Sequence, residues 1–527
     1  MKRKSLSTII IGLGLVLSAF SGCSGGQSNT PEASNATPPS ASSTAASSSQ
    51  TAPATADPVT LKMLLPPSEP KMLNEMLEIV NEKLEADKNI NLDIQFIEWD
   101  VWQQKINLML TTGEEFDIFH VMQDRITLSS YQSMGGLADI TDAVQTHGQN
   151  MLKSIDDVAW SSATINGRVY GVPVMWCELA SEGVMTLRQD MLDKYNLKYP
   201  ETNADLLDIT EQLMKQWEGA DKPYLMFNSA GAAIPLSSHT TVLHREYDSF
   251  PFAVKDTIAY ITMDGEVKSW IETDEFKKDC DWFRDAYNRG LINPDVLSVP
   301  KEQVDNQRSM GSWAVYFGTG GSLSDIRKNQ NPDMKDEEML YIKLHPEKQS
   351  IRYINVKNFN GISSTSKHVD EAVKFFDWLY TDQDNYNLFL YGVEDETYTL
   401  VDGKTRTAIR DENNTRLYQI SDWMMGNVNF ILPDASTPSL QLPVLYEIDE
   451  NAVNHISADF FFDATPVETE FANLNSEFSA SIAPIYLGVQ SYDEHFPAAL
   501  AKMKAAGLDT VLEEYQRQLD AFVATKG

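Results

Sequence analysis

The residue types able to do covalent chemistry are scattered along this sequence rather than gathered into one motif. Ser364–Lys367 (STSK) fits the SxxK spacing in which a lysine activates a serine, but neither SDN nor KTG accompanies it. No GxSxG is present, so the usual nucleophile elbow is missing. Gly318–Ser322 (GTGGS) lacks the lysine and following hydroxyl of a phosphate loop and reads as a turn. His239 and His244 stand five apart without an HExxH frame, so no zinc site is expected. Carboxylates are too abundant for an acid/base pair to be chosen by spacing alone. Cys177 and Cys280 read as small buried residues rather than nucleophiles. Asp87, Asn89, Asn91, Asp93 and Glu98 occupy positions 1, 3, 5, 7 and 12 of an EF-hand-like loop, yet position 6 is Leu92 where the sharp turn needs glycine. No catalytic residue, metal or cofactor is assigned.

The elements that would position a site follow from composition and periodicity. In 527 residues, 42 Lys and Arg face 76 Asp and Glu, a formal charge of -34 that repels nucleic acid and offers it no broad basic face. Length and a 42% hydrophobic content allow more than one core. Lys2, Arg3 and Lys4 precede the apolar run Ile9–Phe20, too short to span a bilayer but right for a signal peptide over residues 1–22. Residues 23–57 are dominated by Ser, Ala, Thr, Pro and Gly, with little to pack, and read as a flexible tether. No later segment is long and apolar enough to cross a membrane.

Beyond the tether, strand and helix alternate. Val59–Leu65 reads as a strand, and Ser68 as the cap of a helix carrying Met72, Leu73, Met76, Leu77, Val80 and Leu84 on one face. Ile90, Leu92, Ile94 and Phe96 alternate as a half-buried strand, a geometry that excludes the calcium loop. A second helix has Trp102, Ile106, Met109 and Leu110 on one side and stops at Gly113, and a strand follows from Phe116. This order predicts a mainly parallel sheet covered by helices. Ligands of such sheets bind beyond the carboxyl ends of strands, which nominates Ser68 and Glu69 after the first strand and Gln123 and Asp124 after the third.

Five signatures in order carry a resemblance: TTGEEFDIFHV, NGRVYGVPV from Asn166, MTLRQDMLDKYNLKYPET from Met185, FRDAYNRGLINPD ending at Asp295, and NGISSTSKHVDEAVKFFDWLYT from Asn360. Together they resemble the extracellular solute-binding proteins of carbohydrate ABC importers. The C-terminal third, with WMMGN, FFFDATPVETE and KMKAAGLDTVLEEYQRQLDAF, is similar to the long LplA-type lipoproteins of that group. Ser21-Gly22-Cys23 resembles a lipobox, with Phe20 where an aliphatic residue is usual, and implies acylation of Cys23 on the outer face of the cytoplasmic membrane.

The resemblance implies an α/β fold: a two-lobed periplasmic-binding-protein-like clamshell, each lobe a mainly parallel sheet flanked by helices, joined by a hinge. The first lobe is expected over 59–176 and 358–395, the second over 177–357 and 396–527. An oligosaccharide would bind in the cleft and pass to ABC permease subunits, the protein acting as a monomer. Some long relatives carry a structural calcium, but no matching acidic loop can be assigned. Sugars offer flat C–H faces and rims of hydroxyls, so a cleft for them wants exposed rings with amides and carboxylates. Trp176 and Glu178, directly after the YGVP-like segment, are placed in the cleft by the resemblance, as are Tyr316 and Phe317 before the glycine turn, with packing in the core as the alternative. Trp423 and Asn427 of WMMGN are candidates on the same ground, and Asn228 and Asn358 follow strands at the expected rim. Arg125 and Arg168 lie near that rim in sequence, where either would admit an acidic sugar. A second reading, a surface-anchored glycosidase or lyase, differs from the first in producing new chain ends.

Overall fold

The computed structural model describes residues 57–123, 125–176, 184–219, 221–227, 229–236, 238–319 and 321–526. The first elements are β1 (Val59–Leu65), α1 (Leu73–Lys88), β2 (Ile90–Phe96), α2 (Trp102–Thr112) and β3 (Ile118–Met122). In α1 the buried residues Leu73, Met76, Val80 and Leu84 recur at helical spacing, and Asn89 ends the helix in the left-handed region at φ 58°. Ser68 does not cap α1: the helix starts at Leu73, because Pro66, Pro67 and Pro70 hold the intervening chain out of helical pairing. Ser68 itself sits in a turn at φ 143°. Helix α2 buries Trp102, Ile106 and Met109 and stops at Gly113, φ 71°, as its sequence predicts.

Strands β1 and β2 pair in parallel from Val59 opposite Ile90, and β1 and β3 pair in parallel at Met63 opposite Ile118. The sheet is completed by Asn358–Ile362, antiparallel to β3, and by Val172–Pro173, antiparallel in turn to Asn358–Ile362. The second large sheet orders Met339–Ile342, Met185–Arg188, Val315–Phe317 and Met226–Phe227. There Val315–Phe317 and Met226–Phe227 are parallel, whereas Met185–Arg188 is antiparallel to both neighbours. That sheet is therefore less parallel than expected, because Met185–Arg188 runs opposite to both of its neighbours.

Each sheet has its own core. The first core gathers residues from Leu61 to Met175 and from Val356 to Met425, and the second gathers Met185 to Leu344 and Val467 to Val511. Tyr398, Tyr418, Ile420, Met424 and Met425 thus pack in the first core, about thirty residues beyond the boundary at 395 expected from the sequence. Long-range backbone bonds hold them there: Ile420 N–H donates to Leu390 O at 2.8 Å, Met72 N–H to Leu417 O at 3.0 Å, and Met175 N–H to Gly426 O at 2.9 Å.

The chain passes between the cores after Met175, between Leu344 and Val356, and after Met425. A strand from the C-terminal region, Ala452–Asn454, pairs in parallel with Ser350–Arg352 of the second passage. Just beyond it, Asp459, at φ 64°, accepts from Asn355 N–H and Nδ2, both at 2.6 Å, and from Ser162 Oγ of the first lobe at 2.9 Å. One carboxylate therefore joins a passage segment, the first lobe and the C-terminal region. Asp459→Ala is expected to lower stability by about 2 kcal/mol, since it strands partly buried donors, and Asp459→Asn by less. Urea denaturation measures both, and an unchanged midpoint for the alanine variant would show that the junction contributes nothing.

Candidate functional site

Because β1, β2 and β3 are parallel, their carboxyl ends share one edge of the first sheet. Asn358 lies opposite Met122 at that edge, and Val172–Pro173 leaves there towards Trp176. The edge therefore brings together the loops starting at Pro66, Ile97 and Gln123 with the segment Val174–Trp176. Ser68, Glu69, Glu98, Trp99, Asp100 and Arg125 are exposed on it, while Trp176 is half-buried.

A later segment, Ser421–Asn427, is laid onto this edge by three sets of contacts. Tyr391 Oη donates to Asp422 Oδ1 at 2.7 Å, Asn360 Nδ2 donates to Met424 O at 3.0 Å, and Met175 bonds Gly426 as above. Withdrawal of the Asp422 carboxyl from water pushes its pKa up, although the Tyr391 hydroxyl and the charge of Arg406 pull the other way. Arg406 is buried, 2.7 Å from Asp434, and its guanidinium lies 4.3 Å from the Tyr391 ring. This buried network fixes the turn that carries Trp423.

Trp423 stacks with Trp99, ring centroids 6.0 Å apart at 23°, and meets the His120 ring edge-on at 5.2 Å and 77°. His120 lies on β3 beneath it, its Nδ1 3.1 Å from Asn360 Oδ1. The Arg125 guanidinium sits 4.7 Å from the Trp99 centroid. Trp176 Nε1 is shielded from water and has no acceptor among the described residues. A buried indole N–H without a partner is costly, so a ligand oxygen at this point would relieve a standing penalty. Two indole rings and exposed carboxylates form a surface suited to the faces and hydroxyls of a sugar.

The other residues nominated from sequence fall into three groups. Several are used internally: Gln123 Oε1 accepts from Leu128 N–H at 2.9 Å, and Asn427 donates from Nδ2 to Ser154 O and Oγ at 3.4 and 3.3 Å while accepting from Asn429 N–H. Asn358 is buried within its strand, and Arg168 is bound to Asp139. Tyr316 and Phe317 are core residues, the packing alternative: Phe317 stacks on Phe227 at 4.8 Å, and Tyr316 packs against Trp313 at 5.5 Å. Glu178, Asp124, Asn228 and Cys23 lie outside the described residues, as does Cys177. Trp99 was not nominated from sequence, although it follows β2 at the edge that nominated Ser68 after β1 and Gln123 after β3.

The candidate nucleophiles are elsewhere. Ser364 and Lys367 follow the far end of Asn358–Ile362, where Lys367 pairs with Glu115 at 2.7 Å. His244 and Tyr247 are buried on Asp279, which also accepts from Tyr486 Oη at 2.7 Å, and burial pushes the neighbouring Cys280 thiol up. The calcium-like residues are spread over the end of α1, the extended β2 and, for Glu98, the loop after β2, and Asp87 accepts from Trp378 Nε1 at 2.8 Å. Among the described residues no three His, Cys, Asp or Glu side chains gather as a metal site.

Residues 67–386 match the profile of the bacterial extracellular solute-binding protein family. The chain belongs to that family. Residues 456–524 of this solute-binding protein match a domain of unknown function (DUF3502). A carbohydrate ABC transporter substrate-binding protein of Streptococcus pneumoniae serotype 4 is 23% identical over 485 residues, 90% of this chain and 92% of its own length. The crystal structure of NgtS, an N-glycan transport solute-binding protein from Streptococcus pneumoniae, is similar with a TM-score of 0.69 at 19% identity, covering 89% of this chain and 100% of that one. FusA of the same species in complex with kestose gives a TM-score of 0.60 at 17% identity over 88% of this chain and 100% of that one. The fold is accordingly the two-lobed, periplasmic-binding-protein-like α/β clamshell.

The division between scaffold and ligand surface has a direct check. Asn427→Ala removes an amide that is fully engaged and is expected to cost about 2 kcal/mol, whereas Trp99→Ala should cost under about 1 kcal/mol because 40% of that residue is exposed. Chemical denaturation ranks the two, and the opposite order would return Asn427 to the ligand surface.

Proposed function

We propose that this protein captures an oligosaccharide outside the cell and delivers it unchanged to an ABC permease. The observation that carries this reading is the indole surface at the carboxyl edge of the first sheet: exposed Trp99 stacked on half-buried Trp423, with the Trp176 N–H, unpartnered among the described residues, on the same edge. Stacked rings bind the apolar faces of pyranose or furanose units without requiring one hydroxyl pattern, and a fixed N–H then selects among them. The relatives support the class of ligand, since their names refer to carbohydrate, N-glycan and kestose.

The remaining parts fit a captured-and-delivered ligand. The first lobe comprises 59–176 and 358 to about 427, the second comprises most of the rest, and the passages between them are the hinge over which the lobes close. A Cys23 lipid anchor and the 23–57 tether would keep a monomer near its permease, with a root-mean-square reach of roughly 30 Å. The protein performs no chemistry on the sugar.

The test is calorimetric titration and thermal shift of residues 58–527 against N-glycan, fructan, xylan and pectin fragments, with each ligand recovered and analysed. Binding only to the native state raises the melting midpoint by mass action, about 2.7 kcal/mol at a hundredfold excess over Kd. One sugar class is expected to bind and be recovered intact, and Trp423→Ala and Trp99→Ala are each expected to weaken it at least about tenfold. New reducing ends would instead establish an enzyme, and unaltered affinity in both variants would remove this edge from the site.

A further inference from the structure

Resting on the proposed reading that the lobes close over the passages between them, we infer that the domain of unknown function at 456–524 is the bearing of that hinge. It holds the Asp459 carboxylate on the second lobe, at the point where the second passage enters the first lobe, and so confines rotation to one pivot. The C-terminal helix, Leu508–Lys526, ties the segment around Asp459 down. Its Gln518 donates from Nε2 to Asp463 O at 2.7 Å and accepts from Asp463 N–H at 2.8 Å, while the Tyr515 ring stacks on Phe462 with centroids 4.3 Å apart. The same helix is bolted to the three-stranded sheet of the second lobe, Phe252–Lys255, Ala259–Thr262 and Val267–Ser269. Tyr515 Oη donates to Asp256 Oδ2 at 2.8 Å, and Gln516 accepts from Val267 N–H at 2.7 Å while donating to Gly265 O at 3.0 Å.

The second passage is fastened to the second lobe along its length. At its start the buried Arg245 donates to the carbonyls of Leu344 and His345, both at 2.7 Å, and of Lys348 at 2.6 Å, a charged donor spread over three backbone acceptors. In its middle, Ser350–Arg352 is paired with Ala452–Asn454, and Tyr353 Oη donates to Phe252 O at 2.8 Å. At its end, Asn355 gives both its N–H and its side-chain amide to Asp459, and the next residue, Val356, already lies in the first core. From Leu344 to Asn355 the passage therefore moves with the second lobe, and bending falls at the step from Asn355 to Val356. Ser162 Oγ reaches the same carboxylate from the first lobe at 2.9 Å, a bond that crosses the pivot and resists sliding of one lobe past the other. A fixed pivot leaves a ligand one angle to select rather than two loose bodies to order, which lowers the entropic cost of capture. Asp459 is thus a positioning residue for closure, remote from the sugar itself.

The experiment needs no sugar, so its outcome is independent of whether the sugar titrations succeed. Residues 57–527 form one compact unit, and in that protein, with Cys177 and Cys280 replaced by alanine, nitroxide labels are placed at exposed positions. Gln104 with Gln303 puts one label on each lobe, and Gln104 with Asp402 puts both on the first. Pulsed electron paramagnetic resonance then gives the spread of each distance in the unliganded protein, with the melting midpoint confirming that each variant folds. Asp459→Ala is expected to widen the spread between the lobes at least about twofold and to leave the spread within the first lobe unchanged. Ser162→Ala and Asp459→Asn, which each remove only part of the junction, should widen it by less. Should Asp459→Ala not fold, these two variants carry the test. A spread between the lobes that stays at the wild-type value, or a spread within the first lobe that grows as much, overturns the inference and leaves oligosaccharide capture standing.

Discussion

Parallel pairing of β1, β2 and β3 is the constraint on which the site depends. Parallel strands end at one edge, so loops separated by more than fifty residues in sequence are delivered to one surface without any of them having to reach for it. The two strands that complete the sheet keep this arrangement: Asn358–Ile362 starts at the edge where β3 ends, and Val172–Pro173 leaves from it towards Trp176. Hydrophobic burial fixes the register, because a slip of one residue in β1 would turn Leu61 and Met63 out of the core.

The sheet edge alone presents one indole ring in the open; the second comes from a distant part of the chain. Residues 417–427 are sewn to the first lobe by backbone bonds to Met72, Leu390 and Met175, and by the buried pair His120 and Asn360 under Trp423. The network of Tyr391, Asp422, Arg406 and Asp434 stiffens that segment from behind. Such a supported ring loses little freedom when ligand arrives, which favours affinity over adaptability. The C-terminal region acts at a different point: through Ala452–Asn454 and Asp459 it grips the second passage between the cores.

The local elements were legible in the sequence because their apolar residues repeat at 3.6 or 2.0 residue periods, as in α1, α2 and β2. The family was legible from ordered short signatures, and Trp176 and Trp423 were nominated through them. What sequence did not resolve was whether a residue near a strand end faces ligand or core. Phe317 and Asn427 have residue types suited to a sugar, yet one stacks on Phe227 and the other serves Ser154 and Asn429. Phe227 and Ser154 lie more than eighty residues from the residues they hold, and no local pattern encodes those contacts. The first-core extension through Met425 is hidden for the same reason. Trp99 is different: extending the carboxyl-end rule to β2 would have found it.

The central claim is that ligand meets the indoles of the first-sheet edge and leaves the core indoles alone. The most direct measurement is 19F NMR of the protein with 5-fluorotryptophan in place of its 10 tryptophans, each resonance assigned by substitution, titrated with the bound oligosaccharide. The account predicts that Trp99, Trp176 and Trp423 shift while Trp102, Trp313 and Trp378, buried in the cores, hold their positions. Shifts concentrated on Trp217, Trp270 or Trp282 of the second lobe, with the three edge resonances unmoved, would contradict it.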